Sequence, residues 1–240
     1  MTTIYRDREI LVARARGHRE ADELRQGYWY WRRGKGCAIG CLAHDDARPH
    51  QILEEKYGLP ARLSFAADAI FEGLSPDESR DWPERYASAA KEGADLSNVW
   101  NLFALWLLAE SGLLPQTRRS REAIETIAQL YRRASVGEVM TCEAWTSETG
   151  AWVAKLAAST PSAAEAAEEA GEAAAASVAA RAAAWAADAA TSPASAAVAM
   201  RAAAGSSESY EKMAAKLVEL MGRAQPKKKR SARRGNSGDQ

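Results

Sequence analysis

The stretch from Gly27 to His50 gathers the residues of this sequence most able to do chemistry. Four consecutive aromatics, Tyr28, Trp29, Tyr30 and Trp31, run into Arg32-Arg33-Gly34-Lys35-Gly36, and Cys37, Cys41, His44 and His50 follow. Thiolate and imidazole together are zinc ligands, so Cys37, Cys41 and His44, with His50 as a fourth, form one candidate centre. Its spacing is unfavourable. On an unbroken helix Cys37 and His44 stand about 10 Å apart along the axis at 1.5 Å per residue, too far to share one ion. Buried cysteines commonly serve as small apolar residues, and core packing is the preferred reading of this pair, with no metal assigned.

A second chemistry is anion binding. Arg32, Arg33, Lys35 and Gly36 lead into a helix start, where free N–H groups and the dipole favour negative charge, while Tyr28, Trp29 and Trp31 could stack a base. The stretch lacks the Gly-Lys-Ser/Thr ending of a phosphate loop. These seven residues are the candidate ligand-binding set, against the plainer reading of a Gly-rich turn with its aromatics packed inside. A third chemistry is general acid–base work by His44 with Asp45, or with Asp68 and Glu72, which lie four apart on one helix. Nucleophile-elbow and paired-histidine zinc motifs are missing, so no catalytic residue is assigned and no cofactor is expected.

The elements that must position these residues read as helices throughout. A charged, polar helix fits Arg8 to Arg25, and its composition places it on the surface. A new one begins near Lys35–Cys37, putting Cys37, Cys41 and His44 on one face; Gly36 and Gly40, also four apart, let another backbone come close. Asp45, Asp46 and Pro49 end it. Short segments come next at Gln51–Tyr57, stopped by Gly58 and Pro60, and at Ala61–Gly73, where Leu63, Ala66, Ala67, Ile70 and Phe71 keep helical period and Gly73 reads as a C-terminal stop. Ser75 is an N-cap with Pro76 at the first helical position, and Trp82-Pro83 should interrupt the helix begun there. Asp95–Glu110 is apolar on most sides and belongs at the core centre; Arg118–Ala134 is amphipathic. No alternating strand pattern occurs, so the class is all-α.

From Thr141 onward the character changes. Thirteen of the twenty residues 171–190 are alanine, the best helix former but one that buries little area, so such helices must pack on each other or on a partner chain, and a homo-oligomer is plausible. Glu211–Met221 regains a true apolar face and is expected to dock. The organisation is therefore an irregular multi-helix core domain at residues 1–140, an Ala-rich helical extension at 141–222 and a disordered basic tail at 223–240.

Charge sharpens that division. The chain has zero net charge, but Lys227, Lys228, Lys229, Arg230, Arg233 and Arg234 against Asp239 give the last fifteen residues a balance of +5, which leaves the body mildly acidic. The six cations could hold nucleic-acid phosphates weakly and without sequence preference. Three cysteines and no apolar run of signal or membrane-span length point to a reduced, cytosolic protein with no membrane partner.

Several segments carry a resemblance. Gln26-Gly-Tyr-Trp29, the run Gly34-Lys-Gly-Cys-Ala-Ile-Gly-Cys-Leu-Ala-His-Asp45, Tyr57-Gly-Leu-Pro60, Asp68-Ala-Ile-Phe-Glu-Gly-Leu74, Trp82-Pro-Glu-Arg85 and Gly93-Ala-Asp-Leu96 occur in this order. The chain thereby resembles, over about residues 20–220, an uncharacterised family of phage and prophage proteins, with Tyr86 where phenylalanine is usual. The resemblance implies a bacterial host cytoplasm. The function expected is a non-enzymatic accessory protein binding a host protein or a small anionic ligand. A nucleic-acid-associated protein using the tail, and a metal-dependent enzyme or zinc site at Cys37, Cys41 and His44, are the alternatives.

Overall fold

A computed structural model describes residues 3–27, 30–114, 118–141, 145, 192, 194–204 and 206–226. Within them lie nine helices: α1 (Arg8–Glu20), α2 (Ala38–Ala43), α3 (Pro49–Tyr57), α4 (Ala61–Gly73), α5 (Pro76–Ser88), α6 (Val99–Ala109), α7 (Arg118–Ser135), α8 (Ser195–Ala203) and α9 (Ser207–Arg223). Among the described residues the only β-type pairings are isolated bridges, so the all-α class is correct. No helix there is long and apolar enough to cross a membrane.

Helix α4 is the hub. Leu63, Ser64, Ala66, Ala67, Ala69 and Ile70 are all fully buried, because α2, α3, α5, α6, α8 and α9 pack around it. Its small residues let those neighbours approach, and Gly73 belongs to that pattern. Gly73 is the last residue of the helix, as expected, but it takes no left-handed turn; its role is space, since a Cβ there would fall within the Tyr210 ring of α9. Trp82 of α5 is wholly buried, worth up to about 3 kcal/mol for a large side chain, and its indole N–H donates to Ala67 O at 2.8 Å.

The remaining boundaries reflect local chemistry. Ser75 caps α5, its hydroxyl accepting from Glu78 N–H, with Pro76 beginning the helix. Trp82-Pro83 does not interrupt it. Pro83 sits inside a continuous helix, where it removes one backbone donor while the anchored Trp82 holds the register. Pro49 opens α3 instead of closing α2, and Gly58 ends α3 with φ +68°. Helix α6 starts at Val99, later than expected, because Asp95 is engaged in pairing: its carboxylate accepts from Ser97 N–H and Thr3 Oγ1, and its N–H donates to Gln225 O. The C-terminal helices join the core, with α8 on α4 and α9 on both α6 and α4, so the segment expected to dock does so. Trp100 of α6 donates to Tyr131 of α7 at 3.1 Å. The alanine-rich residues 151–190 lie outside the described residues.

One close backbone contact sets the position of the Gly27–His50 stretch. The carbonyl of Tyr30 rests on the face formed by Gly36 and Gly40, so closely that a Cβ at either glycine would collide with it. The sequence pattern Gly36/Gly40 does admit another backbone, and that backbone is the chain's own loop. Gly40→Ala is expected to destabilise the protein by about 2 kcal/mol or more. Gly17→Ala, in the middle of α1 with open space at the Cβ, should stabilise it by about 0.5–1 kcal/mol. Urea unfolding of the two variants checks both signs.

Candidate functional site

Helix α2 is only six residues long, and its ends explain what becomes of the reactive side chains. Cys37 is the N-cap, its sulfur accepting from Gly40 N–H at 3.5 Å. Cys41 S–H donates back to Gly36 O at 3.6 Å. Both thiols are buried, and burial, more than any neighbour, raises their pKa; that of Cys41 reaches about 12. They are packed thiols, not thiolates. His44 then leaves the helix in a left-handed conformation, φ +54° and ψ +44°, which histidine adopts more readily than most residues. It therefore does not continue the Cys37–Cys41 face. Among the described residues no three metal-ligating side chains gather so as to hold an ion, which the zinc alternative requires.

The left-handed turn aims His44 at α1. Its Nε2 lies 2.8 Å from Nε2 of His18, and Nδ1 of His18 lies 2.6 Å from a Glu23 carboxylate oxygen. Trp31 lies almost parallel on the His44 ring, centroids 4.6 Å apart at 16°, and meets His18 edge-on at 5.0 Å. His18 is 8% exposed, whereas His44 is open to solvent. Burial lowers the His44 pKa first, then the positive charge of Arg14. Arg14 is held in place by a 2.9 Å bond to Leu42 O.

Local backbone chemistry fixes each member. Asp22 takes a left-handed turn after α1. Glu23 is then pinned on both sides, its N–H on His18 O and its carbonyl under Gly36 N–H. Gln26 ties the same loop to the end of α4 through Phe71 O and Leu74 O, and Trp31 N–H donates to Asp46. His18 and Glu23 escaped sequence reading because α1 looked like a polar surface helix. The buried set Leu11, Ala15 and His18, spaced four and three apart, is the signal that could have found them.

The other candidate residues separate into groups. Arg32 and Lys35 bond each other's backbone across a tight turn, with Arg33 and Gly34 at positive φ, so Arg32, Arg33 and Lys35 form an exposed cationic tip beside Trp31. They do not feed a helix N-terminus. The start of α2 is buried and capped by sulfur, and the N–H of Gly36 is spent on Glu23 O. The anion cradle expected there is thus not built from backbone, and any anion must be met by side chains. Asp45, the expected partner of His44, instead accepts from Arg48 N–H. Tyr28, Trp29 and the tail cations Lys227, Lys228, Lys229, Arg230, Arg233 and Arg234 lie outside the described residues.

A second polar group is buried behind the loop. His50 stacks on Phe65 at 3.6 Å with Tyr30 edge-on at 5.1 Å, and its Nε2 has no hydrogen-bond partner. Asp68, 8% exposed, also leaves Oδ1 unpartnered, and burial raises its pKa and that of Glu72. No family model matches the chain, and no curated protein and no solved structure matches it.

Burial lowers the His50 pKa to about 4, against about 6.5 in an unfolded chain. Between those values the unfolded state binds a proton that the folded state refuses, so this contribution to stability is full above about pH 6.5 and lost as pH falls toward 4. Asp68 and Glu72 push the other way, so the test is a difference. His50→Phe should lose about 2 kcal/mol less stability than the parent between about pH 7 and pH 5, measured by urea unfolding at both values.

Proposed function

We propose that the protein is a non-enzymatic phage or prophage accessory protein that binds a small anionic ligand on the surface of Trp31, His44 and the Arg32–Lys35 turn. One observation carries the reading: the Trp31 indole lies parallel on the solvent-open His44 ring at the foot of a turn whose tip presents exposed Arg33 and Lys35. A tight turn limits the backbone entropy lost when those side chains order around a ligand. Exposed charges attract anions over about 10 Å at 0.1 M salt, while the stacked pair supplies a rigid polar floor. The phage context rests on the ordered string of motifs from Gln26 to Leu96, and the ligand-binding role rests on the surface itself.

Calorimetric titration of the full chain with inorganic phosphate, pyrophosphate and a nucleoside monophosphate tests this, with the uncharged nucleoside as control. The anions should bind and weaken with added salt. Reversing both tip charges, Arg33→Glu with Lys35→Glu, should cost about tenfold or more in affinity. Absence of binding by all three anions, or equal binding by the double variant, would reject the reading.

A further inference from the structure

The two meeting imidazoles restrict where protons can sit. A carboxylate only accepts hydrogen bonds, so Glu23 at 2.6 Å requires the proton on Nδ1 of His18. With His18 neutral, its Nε2 is then an acceptor, and the 2.8 Å contact requires the proton of His44 on Nε2. One basic atom is left in the whole chain of groups, Nδ1 of His44, to which no described residue donates or accepts, on a ring open to solvent. Adding a proton at that atom breaks nothing. The Glu23–His18 and His18–His44 bonds both persist, whichever imidazole holds the bridging proton, and the new positive charge is balanced by Glu23.

Resting on the proposed anion site, we infer that His44 Nδ1 is its proton-accepting atom and that its ligand is a doubly charged tetrahedral oxyanion, such as the phosphate of a phosphomonoester, captured with uptake of one proton. The surroundings set this up. From α1, Arg14 and His18 face His44; from the loop before α2, Glu23 stands behind His18 and Trp31 covers the ring; Asp45 and Asp46 next to it are engaged by the N–H groups of Arg48 and Trp31. Burial and Arg14 disfavour a proton on free His44, so an unliganded site offers a lone pair that repels an oxyanion. A bound dianion reverses that balance, because protonated His44 becomes a charge-assisted donor beside Arg33 and Lys35. Two charges suit the site better than one, since the protonated relay with Glu23 is neutral and leaves the tip cations to be matched. Only a proton moves, from solvent to His44 Nδ1, and no other covalent bond is made or broken.

Calorimetry on the full chain in two buffers of different ionisation enthalpy counts protons directly. Sulfate is the main probe, because it does not titrate near neutrality; adenosine monophosphate is the second, with its own titration subtracted. Uptake approaching one proton is expected, with affinity falling about tenfold per pH unit above the pKa of free His44. In His44→Gln the pH dependence should flatten to under about twofold over the same range. Glu23→Gln, whose amide can either donate to or accept from His18 Nδ1, should reduce the uptake while leaving the tip cations unchanged. Binding without proton uptake, or uptake that survives in His44→Gln, overturns the inference and leaves the anion site standing. Failure of both anions to bind overturns the inference together with the anion site.

Discussion

The contact on which the site depends is the carbonyl of Tyr30 lying on the bare backbone of Gly36 and Gly40. No side chain of any size fits between them. That closeness holds the loop between α1 and α2 flat against the short helix, and it produces three placements. Trp31, the next residue, comes down on His44; the Arg32–Lys35 turn is forced outward into solvent; and Glu23, whose carbonyl accepts from Gly36 N–H, is carried behind His18. Removing the close approach would loosen all three at once.

Polar burial is handled in two ways within a few residues. His18 and His44 satisfy each other and are completed by Glu23, a chain in which each hydrogen bond orients the next. His50, by contrast, is enclosed by Phe65 and Tyr30 with a ring nitrogen unpartnered, and stays neutral because a charge there has nothing to pair with. A buried unsatisfied nitrogen costs about 1–3 kcal/mol. The stacking of His50 on Phe65 returns part of that cost. The relay keeps its charge options open to solvent, while His50 is locked. This contrast leaves His44 able to meet a ligand from solvent and His50 closed to one, although both lie in the same chemically crowded stretch.

Much of the architecture was legible in the sequence, because local signals decided it. The 3.6-residue repeat of Leu63, Ala66, Ala67, Ile70 and Phe71 marks α4 to its observed limits, Ser75-Pro76 marks the start of α5, and Gly36 with Gly40 marks a close approach. What stayed hidden depends on long-range pairing or on a single dihedral. His18 and His44 are twenty-six positions apart and meet only because α1 packs on α2. The left-handed turn at His44 removes it from the cysteine face that regular helical spacing implies. Pro83 reads locally as a break, yet the burial of Trp82 beneath α4 keeps the helix whole.

The central claim is that Glu23 orders the protons of both imidazoles and leaves His44 Nδ1 as the free base. With only three histidines in the chain, a long-range proton–nitrogen correlation spectrum of the imidazole rings is assignable from His18→Gln and His50→Phe. At about pH 8, where imidazoles are largely neutral, it should show His18 with its proton on Nδ1 and His44 with its proton on Nε2. A His44 ring protonated on Nδ1, or both rings averaging between tautomers as free imidazole does, would contradict the account.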